Sequence, residues 1–249
     1  MDSTVFIQKY MKRIGLNIEL LPNIETLRYI HRQHLLNIPF ENLDIMNNKS
    51  IEFDNDKLSS KILDQNRGGI CYELNGLLYE LLSCIGFDAK LIAAKVLEDG
   101  NEFDHVLMVV NIASDKWLVD VGFGDNFFEP LRLEENVLQK DLKGDYKIVK
   151  LENDKYELQK WVNESDYSVE YTFSLQEKKL QDFRERCFYF ETSLNSMFTR
   201  NRMCSLEKEN GRMSLKDDKL IITKDGKRIE LEVKNETEFS AYLKELFGI

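Results

Sequence analysis

The chain has 249 residues, 43% of them hydrophobic, and carries 34 Lys plus Arg against 44 Asp plus Glu, a formal net charge of -10. That apolar content suffices for a sizeable core in about one to three packed units. The acidic balance makes most of the surface repel nucleic acid and anionic membranes, and leaves room only for a local basic pocket that could take a phosphorylated cosubstrate.

No stretch approaches the roughly 18 apolar residues needed to span a membrane. The opening run MDSTVFIQKYMKRIG places Lys9, Lys12 and Arg13 where a secretory signal needs an apolar core. Four cysteines stand at 71, 84, 187 and 204, with no CxxC pair. In a chain of this size they read as reduced thiols of a cytoplasmic protein, not as a disulfide framework.

The first third reads as helical. Val5, Tyr10, Ile14 and Leu16 suit a short amphipathic helix ending near Gly15. Asn23 is a good cap for a second helix, with Ile24, Leu27, Ile30 and His34 on one side and Pro39 ending it. PFENLD follows as an ordered loop, and the polar stretch Asn47 to Asp56 reads as surface loop. A strongly apolar helix starts at about Cys71, carries Leu74, Leu77, Leu78, Leu81, Leu82 and Ile85, and is capped by Gly86.

After Gly86 the period changes to that of strands. AKLIAAKVLE, HVLMVVNI and WLVDVGFG are short apolar runs separated by the turns EDGNEFD and ASDK. YKIVK, KYELQKW and VEYTFSL continue the pattern to about Leu175. Their alternation predicts a sheet with one wet face, or a small barrel. A charged helical segment is expected from about Gln176 to Phe188. RMCSL, GRMSL, KLIIT and KRIELEV then read as strands, and ETEFSAYLKELFGI as a closing helix with Phe239, Tyr242, Leu243 and Leu246 on one stripe. The expected organisation is three units: 1–87 helical and carrying the nucleophile, 88–194 β and carrying His and Asp, and 195–249 a small α/β module.

Cys71 is the first residue with chemistry. At a helix start, unpaired backbone N–H groups point toward its sulfur, and the helix dipole together with Arg67 would favour a thiolate. The same N–H groups could stabilise an oxyanion in acyl transfer. The competing reading is a buried structural cysteine. Cys84 has no cationic neighbour in sequence and reads as a small hydrophobe.

A thiolate doing acyl transfer needs a base. Of three histidines, His31 and His34 lie three apart in the second helix and read as structural or surface residues. His105 opens a strand after a charged turn, where a side chain can reach a cleft from a rigid frame. Asp120 interrupts the apolar WLVDVGFG, and a carboxylate there must be paired or it destabilises. A hairpin centred near residue 114 would place 123 opposite 105, so a register shift or strand twist is needed to bring Asp120 alongside His105. Gly122 and Gly124 permit close ligand approach. Phe123, Phe127 and Phe128 either line an aromatic substrate pocket or pack in the core. The spacing matches no Walker or dinucleotide fingerprint. No metal site is expected, since zinc needs three or four converging ligands.

RGGICYELNGLLYELLSCIGF, DHVLMVV and VDVGFG, in that order, resemble the signature blocks of the arylamine N-acetyltransferases. ETLRYIHRQHLLNIPFENLDI is similar to that family's N-terminal block, and FTRNRMCSL with SLKDDKLIITKDG to its C-terminal module. The resemblance covers nearly the whole chain. It implies an α+β, three-part fold with a papain/transglutaminase-like catalytic core: a helical bundle, a β-barrel and an α/β lid. It implies a catalytic triad of Cys71, His105 and Asp120, and a structural ion pair between Arg67 and Glu41. That pair would leave His105, not Arg67, as the main activator of Cys71. The implied chemistry is ping-pong: acetyl-CoA, a cosubstrate and not a tightly bound cofactor, acetylates the cysteine, and an arylamine, arylhydrazine or N-hydroxyarylamine takes the acetyl group. A monomer or weak homo-oligomer is expected. The chain departs from the family in being somewhat short and in carrying Asp125 where many relatives have a small residue. A carboxylate there would disfavour the CoA phosphates or narrow acceptor choice. The competing reading is a related triad acyltransferase or amide synthase with another acyl donor.

Overall fold

The computed structural model describes residues 2–96, 100–125, 127–161, 163 and 165–249. Helix α1 spans Ser3–Arg13 and α2 spans Ile24–Asn37, the latter capped by the Asn23 carboxamide, which accepts the Thr26 N–H at 2.9 Å. The PFEN stretch forms a two-residue strand, β1 (Phe40–Glu41), and a single helical turn, α3 (Leu43–Met46). Residues 47–56 are not a plain surface loop: Ile51 and Phe53 are buried in the main core, and α4 (Asn55–Ser59) begins within the stretch. It runs on as a wide turn through Asp64. Helix α5 spans Cys71–Ile85 and ends on Gly86, whose φ of +99° suits a residue with no Cβ.

Eight antiparallel strands follow: β2 (Asp88–Lys95), β3 (His105–Ile112), β4 (Asp115–Val119), β5 (Leu131–Arg132), β6 (Leu138–Asp141), β7 (Gly144–Lys150), β8 (Lys155–Trp161) and β9 (Tyr167–Lys178). They pair in the order β5-β4-β3-β2-β9-β8-β7-β6. The two ends meet through a side chain, since the Gln139 carboxamide on β6 bonds both the N–H and the C=O of Arg132 on β5 at 2.8 Å. The sheet is thus nearly a closed barrel. β2 was expected to continue to Glu98; residues 97–99 lie outside those described.

β3 is buried on both faces. Val106, Met108 and Val110 face α5 in the main core, while Leu107 and Val109 face the barrel interior with Leu118, Tyr146 and Tyr171. The strand therefore reads as a continuous apolar run.

The segment expected to be helical from Gln176 starts as the end of β9. A 3-10 turn (Leu180–Phe183) and α6 (Arg184–Thr192) follow, then α7 (Met197–Arg200). β10 (Met203–Lys208), β11 (Gly211–Lys216), β12 (Lys219–Lys224) and β13 (Lys227–Glu232) form a second antiparallel sheet. Helix α8 (Glu236–Tyr242) and the wide turn that continues it (Leu243–Phe247) cover it, burying Phe239 and Phe247 respectively in a third apolar cluster. β1 joins this sheet by pairing with β10, Phe40 opposite Ser205 and Glu41 opposite Cys204. No helix among the described residues is long and apolar enough to cross a membrane.

The chain from Arg67 to Cys71 is clamped against β1. Glu41 N–H donates to Gly69 C=O at 3.0 Å. A methyl group on Gly68 would overlap the Pro39 carbonyl. Gly68→Ala should destabilise the protein by about 1–3 kcal/mol, the range for forcing extra volume into a packed site. A urea midpoint equal to that of the unaltered protein would show that the clamp is absent.

Candidate active site

The site is assembled on the N-terminus of α5. Cys71 is its first residue, 4% exposed. Ile70 offers no side-chain acceptor, so the helix start is held from the other direction, by the Glu73 carboxylate accepting the Ile70 N–H at 3.1 Å. The Glu73 and Leu74 N–H groups both donate to the Ile70 carbonyl at 3.0 Å, and the N–H groups of Cys71 and Tyr72, which come before them, are the ones a helix start leaves without an intrahelical acceptor.

His105 stands at the first position of β3. The β3–β4 hairpin turns on two residues, Ala113 and Ser114, with Ile112 opposite Asp115 and Met108 opposite Val119. Extending that register places Leu107 opposite Asp120. His105 and Asp120 therefore share the barrel-side face as diagonal neighbours, within reach of each other's side chains. The centre expected from sequence, at residue 114, would have put them on opposite faces; the difference is one residue in the turn. His105 Nε2 lies 2.8 Å from Asp120 Oδ2, and the Cys71 side chain stands near enough to the ring to raise its proton affinity. The structure thus brings Cys71, His105 and Asp120 into one cluster.

Asp120 is 1% exposed and is held by donors from several elements. Asn75 Nδ2 donates to Oδ1 at 2.9 Å, Gly122 N–H to Oδ1 at 3.0 Å, and Tyr171 O–H to Oδ2 at 3.2 Å. Burial opposes ionisation of Asp120, but the His105 charge and these donors hold its carboxyl below the usual range. Burial likewise opposes charge on His105, yet the Asp120 carboxylate and the contact with Cys71 push it up to about 10. Both shifts favour the imidazolium–carboxylate form of the pair.

Asn75 and His31 are functional-site residues that sequence reasoning missed. Asn75 lies four residues after Cys71, on the same helix face, where an amide in an apolar helix was a visible signal. It also donates to Val106 C=O at 2.7 Å and accepts the Val121 N–H at 3.0 Å. His31 is fully buried, stacked on Phe127 at 5.6 Å. Burial lowers its proton affinity. In the neutral ring, Nδ1–H donates to Phe128 C=O at 3.0 Å and Nε2 accepts the Asp120 N–H at 3.3 Å. It pins the backbone on both sides of the glycine loop.

Gly122 packs against the Cys71 backbone: a Cβ there would lie 2.7 Å from Cys71 Cα. Of the three loop phenylalanines, Phe127 and Phe128 are fully buried in the core. Phe123 alone faces the site, edge-on to His105 at 5.2 Å and to Tyr171 at 5.1 Å. Arg67 pairs with Glu41 at 2.8 Å and with Asp44 at 3.0 Å. All four cysteines are free.

The family model described as N-acetyltransferase matches residues 23–249. The arylamine N-acetyltransferase of Escherichia coli is 28% identical over 253 residues, covering 99% of this chain and 89% of that protein. The proansamycin X synthase of Amycolatopsis mediterranei is 28% identical over 250 residues, covering 94% of each. The structure of Mycobacterium marinum arylamine N-acetyltransferase in complex with CoA superposes with a TM-score of 0.89 at 26% identity, covering 98% of this chain and 92% of that one.

Because its folded pKa is raised, His105 contributes stability that is fully present below its unfolded value of about 6.5 and is lost as pH rises through about 10. The stability difference between the unaltered protein and His105→Gln should therefore shrink from pH 6.5 to 10, followed by urea titration across that window. A difference that stays constant would mean that His105 is not charged in the folded state.

Proposed function

The chain belongs to the arylamine N-acetyltransferase family, and on that premise we propose that it acetylates arylamines, arylhydrazines or N-hydroxyarylamines from acetyl-CoA through an acetyl-cysteine at Cys71. The observation that carries this reading is the His105 ring set between the Cys71 side chain and the buried Asp120 carboxylate.

Each step follows from the residues present. The Cys71 thiolate attacks the thioester carbonyl, and the tetrahedral oxyanion meets the backbone N–H groups at the start of α5. The carbon–sulfur bond to CoA breaks, and CoA leaves as a thiol with the proton from His105. The neutral imidazole then takes a proton from the amine as its nitrogen attacks the acetyl-cysteine, and Cys71 is released. Asp120 fixes the ring and offsets its charge; Asn75, Tyr171 and Gly122 fix Asp120. Phe123 offers an aromatic edge to an aromatic acceptor beside His105.

The working division is 1–87 for the unit carrying Cys71, 88–194 for the unit carrying His105 and Asp120, and 195–249 for the lid. We further propose a cytoplasmic location and a monomer or weak homo-oligomer. The proansamycin X synthase match favours a second reading, an amide synthase using the same triad with another acyl donor.

Acetyl-CoA alone should add one acetyl group, about 42 Da, to the protein at Cys71, as expected of covalent nucleophilic catalysis. Intact-protein mass spectrometry should show the adduct, and addition of an arylamine should remove it. Cys71→Ala should fold and carry no adduct. A free thiol after exposure to acetyl-CoA would sink the acetyl-CoA reading and leave the amide synthase.

A further inference from the structure

The glycine loop that walls Cys71 continues into a cluster of charges the triad does not use. Two residues beyond Gly122, the Gly124 carbonyl accepts a hydrogen bond from the Arg212 guanidinium of β11. Two residues of chain span at most about 7 Å, so this cluster lies close to the nucleophile. Lys143 and Lys160 join it. Lys143 pairs with Glu207 and donates to Gly211 C=O at 3.2 Å; Arg212 pairs with the same Glu207 at 2.8 Å. All three cations are largely buried, at 13%, 22% and 19% side-chain exposure for Lys143, Lys160 and Arg212.

The counter-charge is unevenly held. Glu207 is buried and tightly bonded. Asp125 is 63% exposed, and among the described residues its carboxylate makes only long contacts, at 4.0 Å to Lys143, 3.8 Å to Lys160 and 3.9 Å to Arg212. Its carboxylate faces all three cations without a close hydrogen bond to any of them. Next to them stands Tyr146, whose ring lies under Lys160 Nζ at 5.7 Å and whose buried hydroxyl has no hydrogen-bond partner among the described residues. Of the carboxylates around Tyr146, Asp141 accepts the Phe128, Glu129 and Lys143 N–H groups, Glu170 accepts from the Ser168 hydroxyl and Glu207 is held by Lys143 and Arg212, which leaves Asp125 as the loosely held counter-charge of the three cations.

We propose that Lys143, Lys160 and Arg212 form a subsite for an anionic oxygen group of a substrate, and that Asp125 occupies it as an internal counter-ion that the substrate must displace. This rests on the acetyl-transfer reading above. The anionic group is either a phosphate of the acyl donor or a carboxylate on the arylamine acceptor. Both present the same chemistry to the cations. Asp125 then sets selectivity: it competes with anionic substrates and leaves neutral ones alone.

Ping-pong kinetics separates the two sources, because kcat/KM is measured independently for donor and acceptor. Asp125→Asn and Lys160→Ala are compared with the unaltered protein, using acetyl-CoA as donor and 4-aminobenzoate or aniline as acceptor. If the group is a phosphate, Asp125→Asn raises kcat/KM for acetyl-CoA and Lys160→Ala lowers it. If it is a carboxylate, Asp125→Asn raises the ratio of 4-aminobenzoate to aniline and Lys160→Ala lowers it. The expected change is about two- to fivefold, the range for one solvent-screened ion pair. The proposal is overturned if neither quantity moves, or if Asp125→Asn and Lys160→Ala shift both in the same direction. Circular dichroism confirms that both variants fold. The Cys71 acetyl adduct of the unaltered protein is scored separately, so failure of the acetyl-transfer reading is told apart from failure of the subsite.

Discussion

The structure depends on one buried charge. Taking the Asp120 carboxylate out of water costs several kcal/mol unless its lone pairs are satisfied. Its recorded donors come from four places: His105 at the start of β3, Asn75 on α5, Tyr171 on β9 and the Gly122 backbone. None of these elements can shift without exposing part of that cost. The hairpin register, the seating of α5 on the sheet and the path of the glycine loop are therefore coupled to a single side chain. The same coupling fixes the imidazole that stands beside Cys71, so under the proposed acetyl transfer the demand for stability and the demand for chemistry fall on the same bonds.

A second buried network holds the approach to α5. Lys61 pairs with Asp44 and with Glu73 at 2.7 Å, while Arg67 pairs with Glu41 and Asp44. Burial lifts the Glu73 carboxyl to about 7 despite Lys61. These five charges fasten the strand before Cys71 to β1 and to the turn after α4. With its guanidinium spent on two carboxylates, Arg67 is a positioning group. The titratable group beside Cys71 is His105.

Much of this was legible in the sequence where residue type and period agree. The bounds of α5 follow from a glycine pair before Cys71, an apolar helical stripe and Gly86. β10 to β13 follow from short alternating runs between ENG, KDD and KDG. What was hidden depends on tertiary context. The hairpin centre was displaced because Ala113, at a φ of +54°, carries no turn signal. His31 reads as an ordinary polar residue until Phe128 and Asp120 are folded against it. Ile51 and Phe53 sit in a polar stretch and are buried only because the chain before α4 lies over the helical core.

The C-terminal sheet is tied to the site at two points of different character. Through β1 and β10 it continues the backbone ladder of the segment that carries Glu41, with Glu41 itself opposite Cys204. Through Arg212 it reaches the Gly124 carbonyl on the loop that walls Cys71. The first tie is a backbone pairing and the second a single charged side chain, largely buried at 19% exposure. Competition from a substrate can break the second without disturbing the first. The sheet can therefore stay anchored to the PFEN segment while the Arg212 side chain on its central strand β11 responds to what is bound beside Gly124. That division suits a surface meant to discriminate among substrates without loosening the buried pair on which the fold rests.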